Sequence, residues 1–151
     1  TLEDRVRHLE VVRSVQDASL AEGRESFTAF IPWTFQEEST ALDGKVETSG
    51  GVDYLRTLSV SRLFLDNVPH VQGSWVTQGK KLGQTSLLFG ADDLGSIMIE
   101  ENVVAAAGAH NQMTRAEMVA LIADAGFGAR QRGSVYERCA APCCATLPSP
   151  V

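Results

Sequence analysis

Residues 69–102, PHVQGSWVTQGKKLGQTSLLFGADDLGSIMIEEN, read as strand, helix, strand and then a loop rich in acids. In the first strand, expected over residues 71–75, the polar His70, Gln72 and Ser74 alternate with Val71, Gly73 and Trp75. Strand side chains point to opposite faces with period two, so the polar three share one face. Such a face is expected where a parallel sheet turns one side to a lumen and the other to helices, with ligand-binding groups collecting at the carboxyl ends of the strands. Ser74 and Trp75 fall near that end. The next helix is expected over residues 78–89, with Leu82, Leu87, Leu88 and Phe89 buried and Gly90 as its stop, followed by a short strand over residues 91–94.

Upstream, Thr1 with Asp4 three residues on predicts a capped helix over residues 2–18, whose Val6, Leu9, Val12 and Val15 form a stripe facing a sheet. FTAFIPW (residues 27–33) is aromatic and apolar on both alternation classes, as in a strand buried on both faces and ended by Pro32. The polar, Gly-rich stretch after it is long for a turn and suits a functional loop. It leads to a helix over residues 52–66 with Leu55, Leu58, Leu63 and Leu65. Downstream, a short helix is expected over residues 101–107. Thr114-Arg115-Ala116-Glu117 has the capping-box form and opens a longer helix with Met118, Leu121, Ile122 and Ala125 inward and Gly126 as its stop. Residues 129–135 would make a last strand.

Helix then strand, four times over, makes a parallel α/β sheet. A complete eight-stranded barrel takes about 250 residues, so 151 residues supply about half of one, or an open doubly wound sheet. With 44% hydrophobic and 21% charged residues the composition is that of a globular domain. A net charge of -6 with 13 scattered Lys and Arg argues against a nucleic-acid partner. No apolar run suits a membrane span and the first residues are charged, so a cytoplasmic protein is expected. The three cysteines, Cys139, Cys143 and Cys144, share a Pro-containing tail (residues 138–151) expected to be disordered. Three thiols without a fourth ligand make no expected metal site.

Nucleotide and hydrolase signatures are absent. Gly126-Phe127-Gly128 has Gln131 where a dinucleotide loop needs its third glycine, and it follows a helix. His8, His70 and His110 stand in no metal-binding spacing, and His8 is expected to be solvated. Asp92, Asp93, Glu100 and Glu101 bring four acids toward one end of the sheet; either something binds or neutralises them, or two are solvated and one caps a helix. Trp33, Phe35 and Trp75 beside them suit either ring stacking or plain core.

The segments FTAFIPWTFQ (27–36), LRTLSVSRLFLDNVPHVQGSWVTQG (55–79) and FGADDLGSIMIEENVVAAAG (89–108) together resemble the carboxyl-terminal half of the radical S-adenosylmethionine enzymes of futalosine-dependent menaquinone synthesis. The resemblance covers residues 1–137. IPWTFQ and WVTQG are closer to the dehypoxanthine futalosine cyclases than to the aminofutalosine synthases or the deazaflavin-forming FO synthases.

The resemblance implies the carboxyl-terminal half of a (β/α)8 barrel. In the whole enzyme the other half carries a C-x3-C-x2-C triplet, a [4Fe-4S] cluster and S-adenosylmethionine; no cofactor is expected for this chain alone, which is expected to be inactive by itself. A 5'-deoxyadenosyl radical abstracts hydrogen from the sugar-derived carbon of a small futalosine-type substrate, which then closes onto an aromatic ring. Positions carried over as substrate-binding are Trp33, Thr34, Gln36, Gln72, Ser74, Trp75, Ser96 and Asn102, with Trp33 or Trp75 against the benzoate ring; Asp93 or Glu101 would take the proton. Expected partners are the substrate and either the missing half-barrel or a second copy. The alternatives are a part of the related aminofutalosine synthase or FO synthase, or a non-catalytic half-barrel that only binds.

Overall fold

The computed structural model describes residues 1–37, 41–45, 49–97, 111–134 and 136. Helix α1 (Leu2–Ala21) opens with a complete capping box, the Thr1 side chain accepting from the Asp4 N–H and the Asp4 side chain reaching back to the Thr1 backbone. It runs past the predicted end. Strand β1 (Ala29–Phe30) follows, then α2 (Gly51–Phe64), β2 (His70–Val71), the single turn α3 (Trp75–Gln78), α4 (Lys80–Leu88) and α5 (Arg115–Asp124). The strands pair in parallel with Ala29 opposite His70 and Phe30 opposite Val71. A third parallel segment joins through the bridge Gln72–Asp93, fixed by Gly73 N–H to Asp93 O (2.8 Å) and Asp92 N–H to Val71 O (3.0 Å). Helices crossing between parallel strands are the α/β arrangement expected.

Three core clusters hold this frame. Tyr54, Leu55 and Leu58 of α2 pack on Val71 and Ala91; Trp75, Val76, Leu94 and Met113 form a second cluster, covered by Met118, Leu121 and Ile122 of α5; Leu9 packs on Leu65 and Val68. At Gly83 the missing side chain is what lets Trp75 in, since a Cβ there would lie 2.6 Å from the Trp75 Cβ and 3.2 Å from its Cα.

Several expectations are corrected. The strand expected over residues 27–33 shrinks to two residues, with Phe27, Ile31 and Trp33 exposed; β1 pairs only with β2 among the described residues, so double-sided burial fails. The strand expected over 71–75 stops pairing at Gln72, and Trp75 starts a helix. The helix expected over 78–89 is divided at Gly79, whose φ of +82° no helix continues through. Leu88 and Phe89 are exposed instead of buried, and 91–94 contributes a bridge instead of a strand. On α1 only Leu9 of the expected stripe is buried, Val6 and Val15 being about half exposed. The helix is held instead by Leu9, by Gln16 and by the bonds of Arg5 and Arg13 to α2 and the turn after it. Described residues 129–134 form no extended strand. The expected helix over 101–107 and the tail 138–151 lie outside the described residues. No described helix is long and apolar enough to cross a membrane.

Candidate functional site

Because the three paired segments run parallel, their carboxyl ends share one edge, the place where open and closed α/β sheets bind ligands. Residues 31–36 follow β1, residues 73–78 follow β2, and 94–96 follow the Asp93 bridge. The first two connections are tied together: Gln78 Nε2 donates to Thr34 Oγ1, and Gln36 Nε2 donates to Thr34 O (3.1 Å) and Oγ1 (3.0 Å). The second is fixed from below, where the Ser74 N–H donates to Tyr54 Oη (2.8 Å) and the Ser74 and Thr77 hydroxyls share a hydrogen bond of 2.8 Å. Tyr54 is buried, which pushes its phenol upward from the ordinary range against the opposing effect of the Ser74 N–H. It stays a neutral hydroxyl.

The sequence-predicted residues separate into two groups. Thr34, Gln36, Gln72 and Asp93 are part-buried on this edge, while Trp33 and Ser96 are exposed there. Ser74 and Trp75 are both about 2% exposed, Trp75 as a core residue, so Trp33 at 54% is the indole open to a ligand. Glu101 and Asn102, like Glu100, lie outside the described residues.

The two described acids are both neutralised, and they diverge. Asp92 meets the His70 Nδ1 (2.7 Å), the Val71 N–H (2.8 Å) and, at 4.0 Å, Arg62. Asp93, its side chain 10% exposed, pairs with Arg132 and accepts from the Tyr136 hydroxyl (2.7 Å) and the Gly95 N–H (3.0 Å). Burial alone would raise its pKa, but the bonds from Arg132, Tyr136 and Gly95 together outweigh that and hold the carboxyl below its usual range. Tyr136 is pushed up, by burial first and then by Asp93. Its ring stacks on His70 at 3.8 Å between centroids, and Arg132 lies 4.1 Å from its centroid. Its φ of +61° is a left-handed conformation rare for a residue with a side chain. Arg132 and Tyr136 were not found from the sequence, because no short-range pattern couples them to an acid about forty positions earlier.

A cavity of about 220 Å3 opens beside the end of β1, lined by Arg5, Trp33, Thr34, Phe35, Tyr54 and Thr57 among others. Arg5, also unforeseen, donates to Thr57 Oγ1 (2.9 Å) and pairs with Asp53 (2.8 Å). The Asp53 carboxyl is lowered to about 2, chiefly by Arg5 and then by Ser49, and Glu117 to about 2 by Lys80 and the Thr114 cap. In an unfolded chain such groups titrate near ~4. Between the two values the unfolded state binds more protons, so stability present at neutral pH is lost as pH falls. Thermal unfolding followed by circular dichroism should therefore show Tm level down to about pH 5 and falling toward about pH 2. Asp53→Asn should lower the plateau and flatten the fall.

No cysteine stands among the described residues, and among them no group of three or more His, Cys, Asp and Glu could hold a metal ion. An iron–sulfur cluster is held by thiolates, so the donor set described here does not fit one.

Parallel strands crossed by helices, with polar side chains at the strand ends, define an α/β unit. Its family follows from comparison: the family model described as "CofH/MqnC C-terminal region" matches residues 24–144, and the chain belongs to that family. It is 48% identical over 134 residues to the cyclic dehypoxanthine futalosine synthase of Streptomyces coelicolor, covering 89% of this chain and 32% of that one. It is 45% identical over 137 residues to the same-named protein of Halalkalibacterium halodurans (91% and 35%). It is 38% identical over 141 residues to the aminodeoxyfutalosine synthase of Thermus thermophilus (90% and 37%). The chain spans about a third of the length of these curated relatives. The family resemblance read from residues 27–36, 55–79 and 89–108 is thus shown.

Proposed function

We propose that this chain is the carboxyl-terminal, substrate-binding part of a radical S-adenosylmethionine cyclase that converts dehypoxanthine futalosine to its cyclic form in menaquinone synthesis. The observation that carries this is the identity of 48% and 45% to two cyclic dehypoxanthine futalosine synthases, against 38% to an aminodeoxyfutalosine synthase. The parallel strands and their polar edge suit a (β/α)8 half-barrel whose other half brings the cluster and S-adenosylmethionine. In this reading the chain is cytoplasmic, inactive alone, and completed by that other half. The radical chemistry belongs to the part that holds the cofactors; the residues here bind and orient the substrate and keep water out.

Thr34, Gln36 and Gln72 are placed to hydrogen-bond sugar hydroxyls, with Ser96 and Asn102 as further contacts, and Trp33 to cover the aromatic ring. Ser74 and Trp75 act from beneath, building the turn on which Gln78 and Thr34 meet. Asp93 is an ionised group held by Arg132 and Tyr136 on one oxygen and by the Gly95 N–H on the other, so a proton would arrive at the oxygen facing Gly95, against the pairing that holds the carboxyl low; Glu101 is the other proposed acceptor. Fusing this chain behind the complementary part of the Streptomyces coelicolor relative, with anaerobic cluster loading, tests the whole reading. Conversion of dehypoxanthine futalosine to the cyclic product is the expected result. A cluster-loaded, folded fusion that leaves this substrate untouched and forms aminodeoxyfutalosine instead would move the chain to the related synthase, and one active in neither assay would make it a binding module.

A further inference from the structure

Gln72 closes the pairing of β2. It faces Asp93 across the bridge, and its N–H donates to Phe30 O (2.9 Å), so its backbone is fixed between the first and third parallel segments. Its side chain is part-buried and, among the described residues, its carboxamide makes no hydrogen bond. A carboxamide offers two donors and an acceptor, and here all of them remain for a ligand or for water.

What holds this side chain is contact and not bonding. Gly95 has a φ of +75°, and a Cβ there would lie 2.5 Å from Gln72 Nε2, 2.8 Å from its Cδ and 3.1 Å from its Oε1. Three amide atoms at such similar distances put the missing side chain over the face of the carboxamide and not at its end. The amide therefore lies against bare backbone with its N–H and C=O edge left open, a close approach that glycine permits. Gly95 is itself pinned. Its N–H donates to Asp93 Oδ1 (3.0 Å), and the other Asp93 oxygen is held by Arg132 and the Tyr136 hydroxyl. A line of fixed groups thus runs from residues 132 and 136 through Asp93 to Gly95 and ends against Gln72.

Gly126 shows what a glycine needed only for its turn looks like: its φ is +87°, and nothing lies within 4 Å of where its Cβ would be. Both backbones disfavour a side chain, but only at 95 would that side chain also displace a residue of the strand edge. The atoms displaced are the far end of a flexible side chain, so the fold can absorb the change by turning the Gln72 amide away. We propose that Gly95 is a positioning residue for ligand binding at the carboxyl edge, its missing side chain setting the direction of the Gln72 carboxamide. This rests on the substrate-binding reading of Gln72 and deepens it by naming what aims that residue.

Two readouts test it. In the fusion with the Streptomyces coelicolor part, Gly95→Ala should raise KM for dehypoxanthine futalosine about tenfold, the scale of a lost hydrogen bond, and leave kcat within about threefold. Gly126→Ala, which carries similar backbone strain, should move neither. Gly95→Ala added to Gln72→Ala should raise KM no further, because the amide it displaces is already gone. Heteronuclear NMR of the 151-residue chain reads the positioning without turnover: the side-chain amide signal that Gln72→Ala removes should shift in Gly95→Ala and stay in place in Gly126→Ala. Gly95→Asn adds a side chain where Asn tolerates positive φ, and it decides the matter if Gly95→Ala misfolds. A Gln72 signal unmoved by either substitution at 95, or KM effects of Gly95→Ala and Gln72→Ala that simply multiply, would overturn the proposal. Turnover with KM unchanged in Gly95→Ala would remove the positioning role alone. A fusion that leaves the substrate untouched, while the Gln72 signal still follows residue 95, would remove the functional reading alone.

Discussion

Gln16→Leu is expected to destabilise the chain by about 2–4 kcal/mol although it replaces a polar residue by an apolar one of similar size in a buried position. Gln16 is 1% exposed. Its Nε2 donates to Phe27 O and Asn67 O (3.0 Å each), and its Oε1 accepts from the Phe27 N–H (2.8 Å) and the Ser26 hydroxyl. One amide therefore joins α1 to the entry of β1 and to the turn between α2 and β2. Leucine at this site gains at most about 1.5–3 kcal/mol of burial. It leaves an N–H and two carbonyls unpaired, at about 1–3 kcal/mol for each one that water does not reach. The penalties outnumber the gain. Urea denaturation should show a lower midpoint with an unchanged m-value, and Gln16→Glu at neutral pH, which sets a buried carboxylate oxygen against the Phe27 and Asn67 carbonyls, should recover none of the loss. A variant as stable as the parent would mean that water already serves these backbone groups.

What was legible in the sequence is what short spacings determine. Thr1 with Asp4 and Thr114 with Glu117 form the complete boxes their spacing predicts. Gly90 and Gly126 take the positive φ of +106° and +87° that helix stops favour. His8 is exposed as expected. The failures come from quantities that depend on neighbours. FTAFIPW looks doubly buried, yet Ile31 and Trp33 are open because burial belongs to the sheet and not to the strand. Trp75, left open between ring stacking and plain core, is core because Gly83, eight residues on, has no side chain to keep it out. Of the two readings left open for the acids, neutralisation is the one seen at 92 and 93, but their partners come from 62, 70, 132 and 136, and no local rule links positions so far apart. The same holds for Arg5 and Asp53 across α1 and α2. The resemblance named Trp33 and Thr34 together, and those two line one cavity; periodicity linked neither to the other.

Asp93→Asn is expected to cost about 3–5 kcal/mol, the range for removing one partner from a buried ion pair. The substitution keeps the shape and deletes the charge, so the loss comes from removing the carboxylate that pairs with Arg132, whose side chain is 27% exposed against 10% for Asp93. That residual exposure, with the bond from Arg132 to Gly133 O and its place over the Tyr136 ring, puts the result toward the lower end of the range. The phenol of Tyr136 supplies a second readout with a definite sign. Its elevation has burial as the first cause and the hydrogen bond and charge of Asp93 as the next two. Without the charge, ionising the phenol no longer places two anions together, so spectrophotometric titration of Tyr136 should move downward while staying above an ordinary tyrosine, burial being unchanged. Arg132→Met added to Asp93→Asn should restore part of the stability, since the cation that Asp93 balanced is then gone. Stability equal to the parent in the single variant, with the tyrosine titration unmoved, would show that Asp93 does not hold residues 132 and 136 against the bridge at Gln72.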